Sequence, residues 1–168
     1  MFETPRLRVR AFRAEDAEAL YQNHLDEEVK TWFPNECYAD LAEAEGAIRF
    51  YTERVQQKRL PYVLAVELKE TGALIGDTGV SSEAKGLEIG YVIGKTYRGN
   101  GYATELVDAM TQFVFSALGA SAISGRVIKG NIASARILEK CGYRFVKEEF
   151  GTEDDPYGQG MLVYQKEK

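Results

Sequence analysis

The feature that most constrains this fold is the run Tyr97-Arg98-Gly99-Asn100-Gly101-Tyr102-Ala103-Thr104-Glu105. An apolar, strand-like stretch from Leu87 to Ile93 leads into it, and a strongly helical stretch from Ala103 to Leu118 leads out. Strand, glycine turn and helix in that order build an anion site. Glycine permits the tight turn and brings backbone N–H groups close to a ligand. The helix that follows presents N–H groups without intrahelical partners and the positive end of its dipole. The guest this favours is a phosphate or pyrophosphate.

Two common phosphate loops do not match the run. A P-loop needs Gly-x-x-x-x-Gly-Lys-Ser/Thr, and the chain holds no such run. A dinucleotide fingerprint needs a small residue three positions after Gly101, where Thr104 stands, and it usually opens its domain. Here the turn follows several other elements, so both readings are disfavoured. The plainer alternative is a turn that needs only positive φ.

Around this turn the rest of the chain reads as alternating strands and helices. Leu7, Val9 and Ala11 alternate with Arg6, Arg8 and Arg10, the pattern of a half-buried strand. Glu15 to Leu25 reads as a helix with an acidic first turn. A break follows at Thr31-Trp32-Phe33-Pro34, because Pro34 biases Phe33 away from helix. Trp32 either plugs the core or lines a substrate pocket. Asp40 is an N-cap with Glu43 three residues later, and Leu41, Ala44, Ile48, Tyr51 and Val55 then share one helical face. Tyr62 to Glu67 and Ala73 to Val80 read as strands joined at Glu70-Thr71-Gly72. Gly76 and Gly79 inside the second imply a bulge or a close backbone approach. A turn at Ala84-Lys85-Gly86 leads to the strand before the glycine turn.

After the long helix, Gly119 ends it and Ala122 to Ile128 forms a short strand. Asn131 caps a helix from Ile132 to Cys141, and Gly142 is its C′ residue. Strands from Tyr143 to Phe150 and Met161 to Lys166 flank an acidic, Gly- and Pro-containing loop. The order β-α-α-β-β-β-α-β-α-β-β specifies an α/β domain with a mixed sheet, antiparallel at the start and partly parallel later.

Composition removes several function classes. At 168 residues, one domain spanning 1–168 is expected. The net charge of −5 argues against direct binding of nucleic acid and tilts the surface toward cationic partners. The start is charged at once, so no signal peptide is visible, and no run is apolar enough to cross a membrane. Cys37 and Cys141 lie far apart without metal-ligand spacing, which suits reduced thiols in the cytoplasm. With His24 as the single histidine, neither a His-rich metal site nor a Ser-His-Asp triad is expected, and no metal is assigned.

Arg98-Gly99-Asn100-Gly101-Tyr102-Ala103 resembles the Arg/Gln-x-x-Gly-x-Gly/Ala signature of the GNAT superfamily of acetyl-CoA-dependent N-acetyltransferases. Glu88-Ile89-Gly90-Tyr91-Val92-Ile93, followed by Tyr97 to Glu105, is similar to the branch that acetylates ribosomal-protein N-termini. Many members of that branch use other acceptors. The resemblance runs from Thr4-Pro5-Arg6-Leu7 to Cys141-Gly142-Tyr143 and the last strand. It implies the GNAT fold, with acetyl-CoA lying where the strand before the glycine turn splays from the strand after its helix. It further implies that Arg98, Gly99, Asn100, Gly101, Tyr102, Ala103 and Thr104 hold pyrophosphate by their backbone N–H groups, and that Asn131 and Ser134 flank pantetheine. Backbone N–H groups near Val92 and Ile93 would face the oxyanion.

Acetyl transfer to an amine needs a base, an oxyanion donor and a proton for the leaving thiolate. Glu88 is the candidate base, because a carboxylate in an apolar strand asks for an explanation and many relatives carry an acid on this strand. Its plainer role is a solvent-facing strand-end glutamate. Many relatives place a tyrosine seven residues after the asparagine that opens the last helix, where this chain has Leu138. Ser134, Tyr143 or water must then supply the proton, and Ser134 is preferred because Asn131-Ile132-Ala133-Ser134 resembles Asn-x-x-Ser of the ribosomal-protein branch. Cys141 reads as packing rather than as a nucleophile, so direct transfer in a ternary complex is implied. Glu148, Glu149, Glu153, Asp154 and Asp155 cluster before the last strand. Glu153, Asp154 and Asp155 either face solvent or draw a cationic acceptor into its channel. A non-catalytic acyl-CoA sensor, or another phosphate-ligand binder, is the alternative. The acceptor is open among protein N-termini and small amines, and the assembly is open between monomer and homodimer.

Overall fold

In the computed structural model of the chain, residues 1–83 and 86–168 are described. The turn expected at Ala84-Lys85-Gly86 lies, for its first two residues, outside that set. The elements run β1 (Phe2–Glu3), β2 (Leu7–Arg10), α1 (Ala17–His24), α2 (Glu27–Trp32), α3 (Leu41–Gln56), β3 (Tyr62–Leu68), β4 (Leu74–Glu83), β5 (Gly86–Ile93), α4 (Tyr102–Ala117), β6 (Ala122–Ile128), α5 (Ile132–Lys140), β7 (Arg144–Glu149) and β8 (Met161–Glu167). They form a mixed α/β fold around an eight-stranded sheet of order β1-β2-β3-β4-β5-β6-β8-β7. Every pairing is antiparallel except β5 with β6.

The sheet separates two apolar layers, and strand alternation assigns side chains to each. On β3, Leu64 and Val66 join the face covered by α4, whereas Ala65 joins the cluster of Phe12, Leu20 and Ile48 under α1 and α3. Leu106, Val107, Met110 and Val114 of α4 are all fully buried. Each such burial stabilises by roughly 1.5–3 kcal/mol relative to exposure, so this helix is fixed on the sheet by its own apolar stripe.

The local signals act as their chemistry dictates. Asp40 Oδ1 accepts from the Glu43 N–H at 2.9 Å, while the Glu43 carboxylate reaches back to the Ala39 N–H at 2.5 Å. At the end of α5, Tyr143 N–H bonds to Leu138 O at 3.0 Å and Gly142 N–H to Glu139 O at 3.0 Å. With Gly142 at φ +83°, this is a Schellman cap. The expected close approach at Gly76 is real. A Cβ there would lie 2.0 Å from Val92 O, and the β3–β4 register shifts beside it.

Two elements go beyond the sequence reading. Where a break is expected near Trp32, the chain forms the short helix α2, and a turn of 3₁₀ helix follows at Pro34–Glu36. The strand β1 also pairs with β2 through Phe2 and Glu3.

The feature that positions the site is the parting of β5 from β6. Their paired register consists of Leu87 with Ile123 and Glu88 with Ser124, after which the strands diverge. Leu138 fills the crotch: it is 1% exposed, and a Cβ on Gly125 would sit 2.9 Å from its Cδ1. This position is core, so a tyrosine here would be an overpacked residue rather than a proton donor. No helix among the described residues is long and apolar enough to cross a membrane.

Candidate active site

The glycine turn sits at the mouth of the splay. Gly99 and Gly101 both have φ +80°, a region that side chains with a Cβ avoid. Gly101 is the residue before α4, and no side chain caps that helix. The first-turn amides of Tyr102, Ala103 and Thr104 therefore lack intrahelical acceptors. Asn100 Nδ2 braces the turn through Tyr97 O at 3.1 Å and Arg98 O at 3.2 Å.

Arg6, read from sequence only as the polar side of a strand, holds the same turn. Its Nη1 bonds to Asn100 O at 2.8 Å, its Nε pairs with Glu105 at 2.6 Å, and its guanidinium lies 4.5 Å above the Tyr102 ring. The Arg98 side chain braces the turn as well. Its guanidinium is turned onto the protein, with Nε on Ile93 O at 2.8 Å, Nη1 on Glu28 at 2.6 Å and Nη2 on Asp26 at 2.5 Å. It pins α2 beside the turn and offers a bound anion no free guanidinium.

From the turn, a cleft of about 460 Å³ runs between β5 and α5, past Ile93, Ala103, Asn131, Ser134 and Ile137. A second cavity of about 310 Å³ lies on the other side of the splay. The two share Trp32, Phe33, Tyr91, Val92, Asn131 and Ser134. Trp32 thus lines the passage, and its ring also packs 3.5 Å from where a Gly130 Cβ would be.

Register decides which amides face this passage. Gly94 N–H donates to Ile75 O at 2.8 Å across the β4–β5 ladder, and Ile93 O is turned away toward Arg98. Alternation then aims the Val92 amide at Asp77 of β4 and the Ile93 amide into the opening. Of the two amides expected at the oxyanion, the ladder leaves Ile93.

Ser134 lies on the opposite wall. Asn131 Oδ1 accepts from the Ser134 N–H at 3.1 Å, the cap the sequence implies. Ser134 Oγ is 2.8 Å from Tyr91 Oη, a contact the sequence reading missed. Burial pushes the Tyr91 phenol up to about 12, against the opposing effect of the Ser134 bond. The other alternative donor is displaced: Tyr143 is buried at 3% exposure, with its hydroxyl 2.7 Å from Thr111 Oγ1. Cys141 is buried too, and burial raises its thiol, which keeps it protonated and inert.

The acidic residues divide in a way the sequence did not show. Glu88 does line the second cavity, but its carboxylate accepts from Arg126 Nε at 2.6 Å. Arg126 also holds Asp154 at 2.5 Å, so this loop acid is neutralised where it reaches the cavity. A carboxylate clamped by a guanidinium serves as a strut between β5, β6 and the loop, not as a free base. Asp155 corrects a second expectation. It is 5% exposed and accepts from the N–H groups of Gln159 at 2.9 Å and Gly160 at 2.7 Å, so it closes its own turn. Glu153 is exposed, and its carbonyl accepts from Asn35 Nδ2 at 3.1 Å. That bond ties the loop to the turn Pro34–Glu36 over the cavity.

The cavity floor is a titratable cluster. His24 Nε2 lies 2.8 Å from Asp77 Oδ2, and Nδ1 lies 2.7 Å from Glu36 O. Since a carbonyl and a carboxylate both accept, the ring fits best with a proton on each nitrogen. Burial opposes the imidazolium, but Asp77 and the Glu36 carbonyl outweigh it and raise His24 above its ordinary value. Tyr38 and Tyr51 stand beside it, and burial raises both phenols.

The comparisons agree with this geometry. The model of the acetyltransferase (GNAT) domain matches residues 6–144. The uncharacterized N-acetyltransferase YoaA of Bacillus subtilis (strain 168) is 32% identical over 147 residues, which cover 86% of this chain and 82% of that protein. The crystal structure of a GNAT-family acetyltransferase from Bacillus anthracis superposes with a TM-score of 0.85 at 20% identity, covering 98% of this chain and 96% of the other. A ribosomal-protein-S5-alanine acetyltransferase from Vibrio fischeri gives 0.84 at 19% identity, covering 99% and 95%. With its glycine turn at the mouth of a β5–β6 splay and a family match over most of its length, this chain belongs to the GNAT acetyltransferase family.

Proposed function

We propose that the protein moves the acetyl group of acetyl-CoA to a primary amine, by direct transfer in a ternary complex within one domain spanning 1–168. The observation that carries this reading is the meeting of two cavities at Tyr91, Val92, Asn131 and Ser134. One leads to the unpartnered amides of α4 and suits a pyrophosphate with its pantetheine arm. The other is edged by carboxylates and aromatic rings, which suits an amine. The uncapped α4 and the open cleft fit the cofactor, and acetyl-CoA supplies the activated acyl group. Gly99, Asn100, Gly101, Tyr102, Ala103 and Thr104 bind its phosphates, and Asn131, Ser134 and Ile93 border its arm.

In this reading the Ile93 amide donates to the developing oxyanion. Ser134, backed by Tyr91, passes a proton to the leaving sulfur. Trp32 walls the passage, and the Glu88–Arg126–Asp154 strut sets the width of the acceptor cavity. The S5-alanine acetyltransferase neighbour makes a protein N-terminus one acceptor to test beside small amines. Acetyl-CoA-dependent thiol release across a panel of amines and peptides is the deciding assay. Tight CoA binding with no thiol release from any acceptor would instead favour a non-catalytic acyl-CoA sensor.

A further inference from the structure

Of the acids around the acceptor cavity, Asp77 is engaged by His24, and Glu88 and Asp154 by Arg126. Glu36 is different. Its backbone carbonyl is tied to His24 Nδ1 at 2.7 Å, but its carboxylate makes no hydrogen bond or ion pair among the described residues. The side chain lines the cavity, and the residue is exposed to solvent. The backbone that carries it is held from three sides. Pro34 opens its 3₁₀ turn, Asn35 bonds to the β7–β8 loop at 3.1 Å, and His24 anchors its carbonyl to the floor.

We propose that Glu36 receives the incoming acceptor: its carboxylate docks the ammonium of a primary amine and takes the proton that must leave before attack. This deepens the acetyltransferase reading and rests on it for the chemical step. A free aliphatic amine has a pKa of about 10 and arrives protonated at neutral pH. An unengaged carboxylate in a concave, aromatic-lined pocket attracts that cation and then accepts its proton. The surroundings favour the transfer. Burial raises the Glu36 carboxyl, nearby Asp77 and Asp154 raise it further, and His24 opposes them. Tyr38 and Tyr51 face the same space from the α3 side, and Glu88 and Arg126 close it from the sheet. Trp32 and Phe33 give an apolar group on the amine a surface to lie against.

The ammonium N–H bond breaks and its proton passes to Glu36. The freed nitrogen lone pair forms the N–C bond to the acetyl carbon. The C–S bond breaks, its electron pair leaves on sulfur, and the second amine proton goes to that sulfur by way of Ser134. Glu36 then returns its proton to solvent, so the net products are an amide, a thiol and one proton.

The test uses the whole chain saturated with CoA and two probes, benzylamine and its uncharged counterpart benzyl alcohol. Calorimetry at low salt should show that the wild type prefers benzylamine, and that Glu36→Gln loses most of this preference while CoA affinity and melting temperature stay near wild type. Equal binding of the two probes by the wild type, or an unchanged preference in Glu36→Gln, overturns the docking role. Thiol release with benzylamine and acetyl-CoA then reads the proton. Glu36→Gln should lower kcat/KM by about 10²–10⁴-fold near neutral pH and move the acidic limb of its pH profile up toward the amine's own pKa of about 10, where free amine becomes common. Glu36→Asp should keep that limb with a smaller loss. A Glu36→Gln profile that retains the wild-type acidic limb overturns the base role. Selective binding of benzylamine without thiol release from any amine would overturn the enzymatic reading and leave the docking role standing.

Discussion

Gly76→Ala should be among the most damaging small substitutions in the sheet, and its effect should reach the active site. The added Cβ would stand 2.0 Å from Val92 O, 3.0 Å from Val92 C and 3.1 Å from Ile93 Cα, all backbone atoms. An ordinary carbon–oxygen contact is about 3.3–3.6 Å, so β4 and β5 would have to part by more than about 1 Å. Overpacking of this kind costs about 1–3 kcal/mol, and a strained or broken ladder bond adds about 1 kcal/mol or more. A loss of roughly 3 kcal/mol corresponds to about 6–12 °C in Tm for a chain of this size. Two neighbours calibrate the argument. At Gly94 the clash is with Asn23 Oδ1 at 2.2 Å, a side chain that can turn away, so Gly94→Ala should cost less. At Gly90 the nearest atom is Phe33 Cε1 at 4.0 Å, so Gly90→Ala should melt within about 2 °C of wild type. Ile93 stands opposite Gly76 in the register and lines the cofactor cleft, so CoA affinity should also fall in Gly76→Ala. Thermal melts of the three variants with calorimetric CoA titration check this. If Gly76→Ala melts with Gly90→Ala, backbone contact at Gly76 does not set the β4–β5 spacing.

Three further outcomes are expected. Gly101→Val, forced to φ +80°, should lose about 1–2 kcal/mol of stability or more and bind CoA at least tenfold more weakly, as calorimetry on the folded variant would show. Tyr91→Phe removes the 2.8 Å partner of Ser134 and should lower kcat several-fold while KM for acetyl-CoA holds; steady-state kinetics with equal losses in both constants would argue against a role in the leaving-group proton. The raised His24 value carries a pH signature, because a group more basic when folded stabilises fully below its unfolded value near 6.5 and loses that contribution as pH rises through the folded one. The stability gap between wild type and His24→Gln in urea unfolding should therefore be widest at acidic pH and narrow as pH rises, and a pH-independent gap would mean that His24 stays neutral.

The sequence alone determined whatever local chemistry enforces. The glycine turn and the helix after it, the Asn131 cap and the Schellman ending at Gly142 all depend on residues within a few positions of one another, and each is legible as a φ requirement or a capping oxygen; Gly76 is legible as a missing Cβ, but the backbone it makes room for, Val92, lies on the next strand. Apart from α2 and β1, the element order followed from periodicity, and with it the mixed sheet. What the tertiary structure decided is which charges and amides are left over. The helix α2 reads as a break because it is short and ends before Pro34, and it is held by ion pairs from Arg98 some 70 positions away in the chain. Glu88 looks free until β6 brings Arg126 to it, and Asp155 looks like surface until its turn folds inward onto Gln159 and Gly160. Glu36 carries no local mark at all. Its distinction is that its neighbours are partnered and it is not, and partnership between residues far apart in sequence is fixed only by the sheet register and by the loop that closes over the splay.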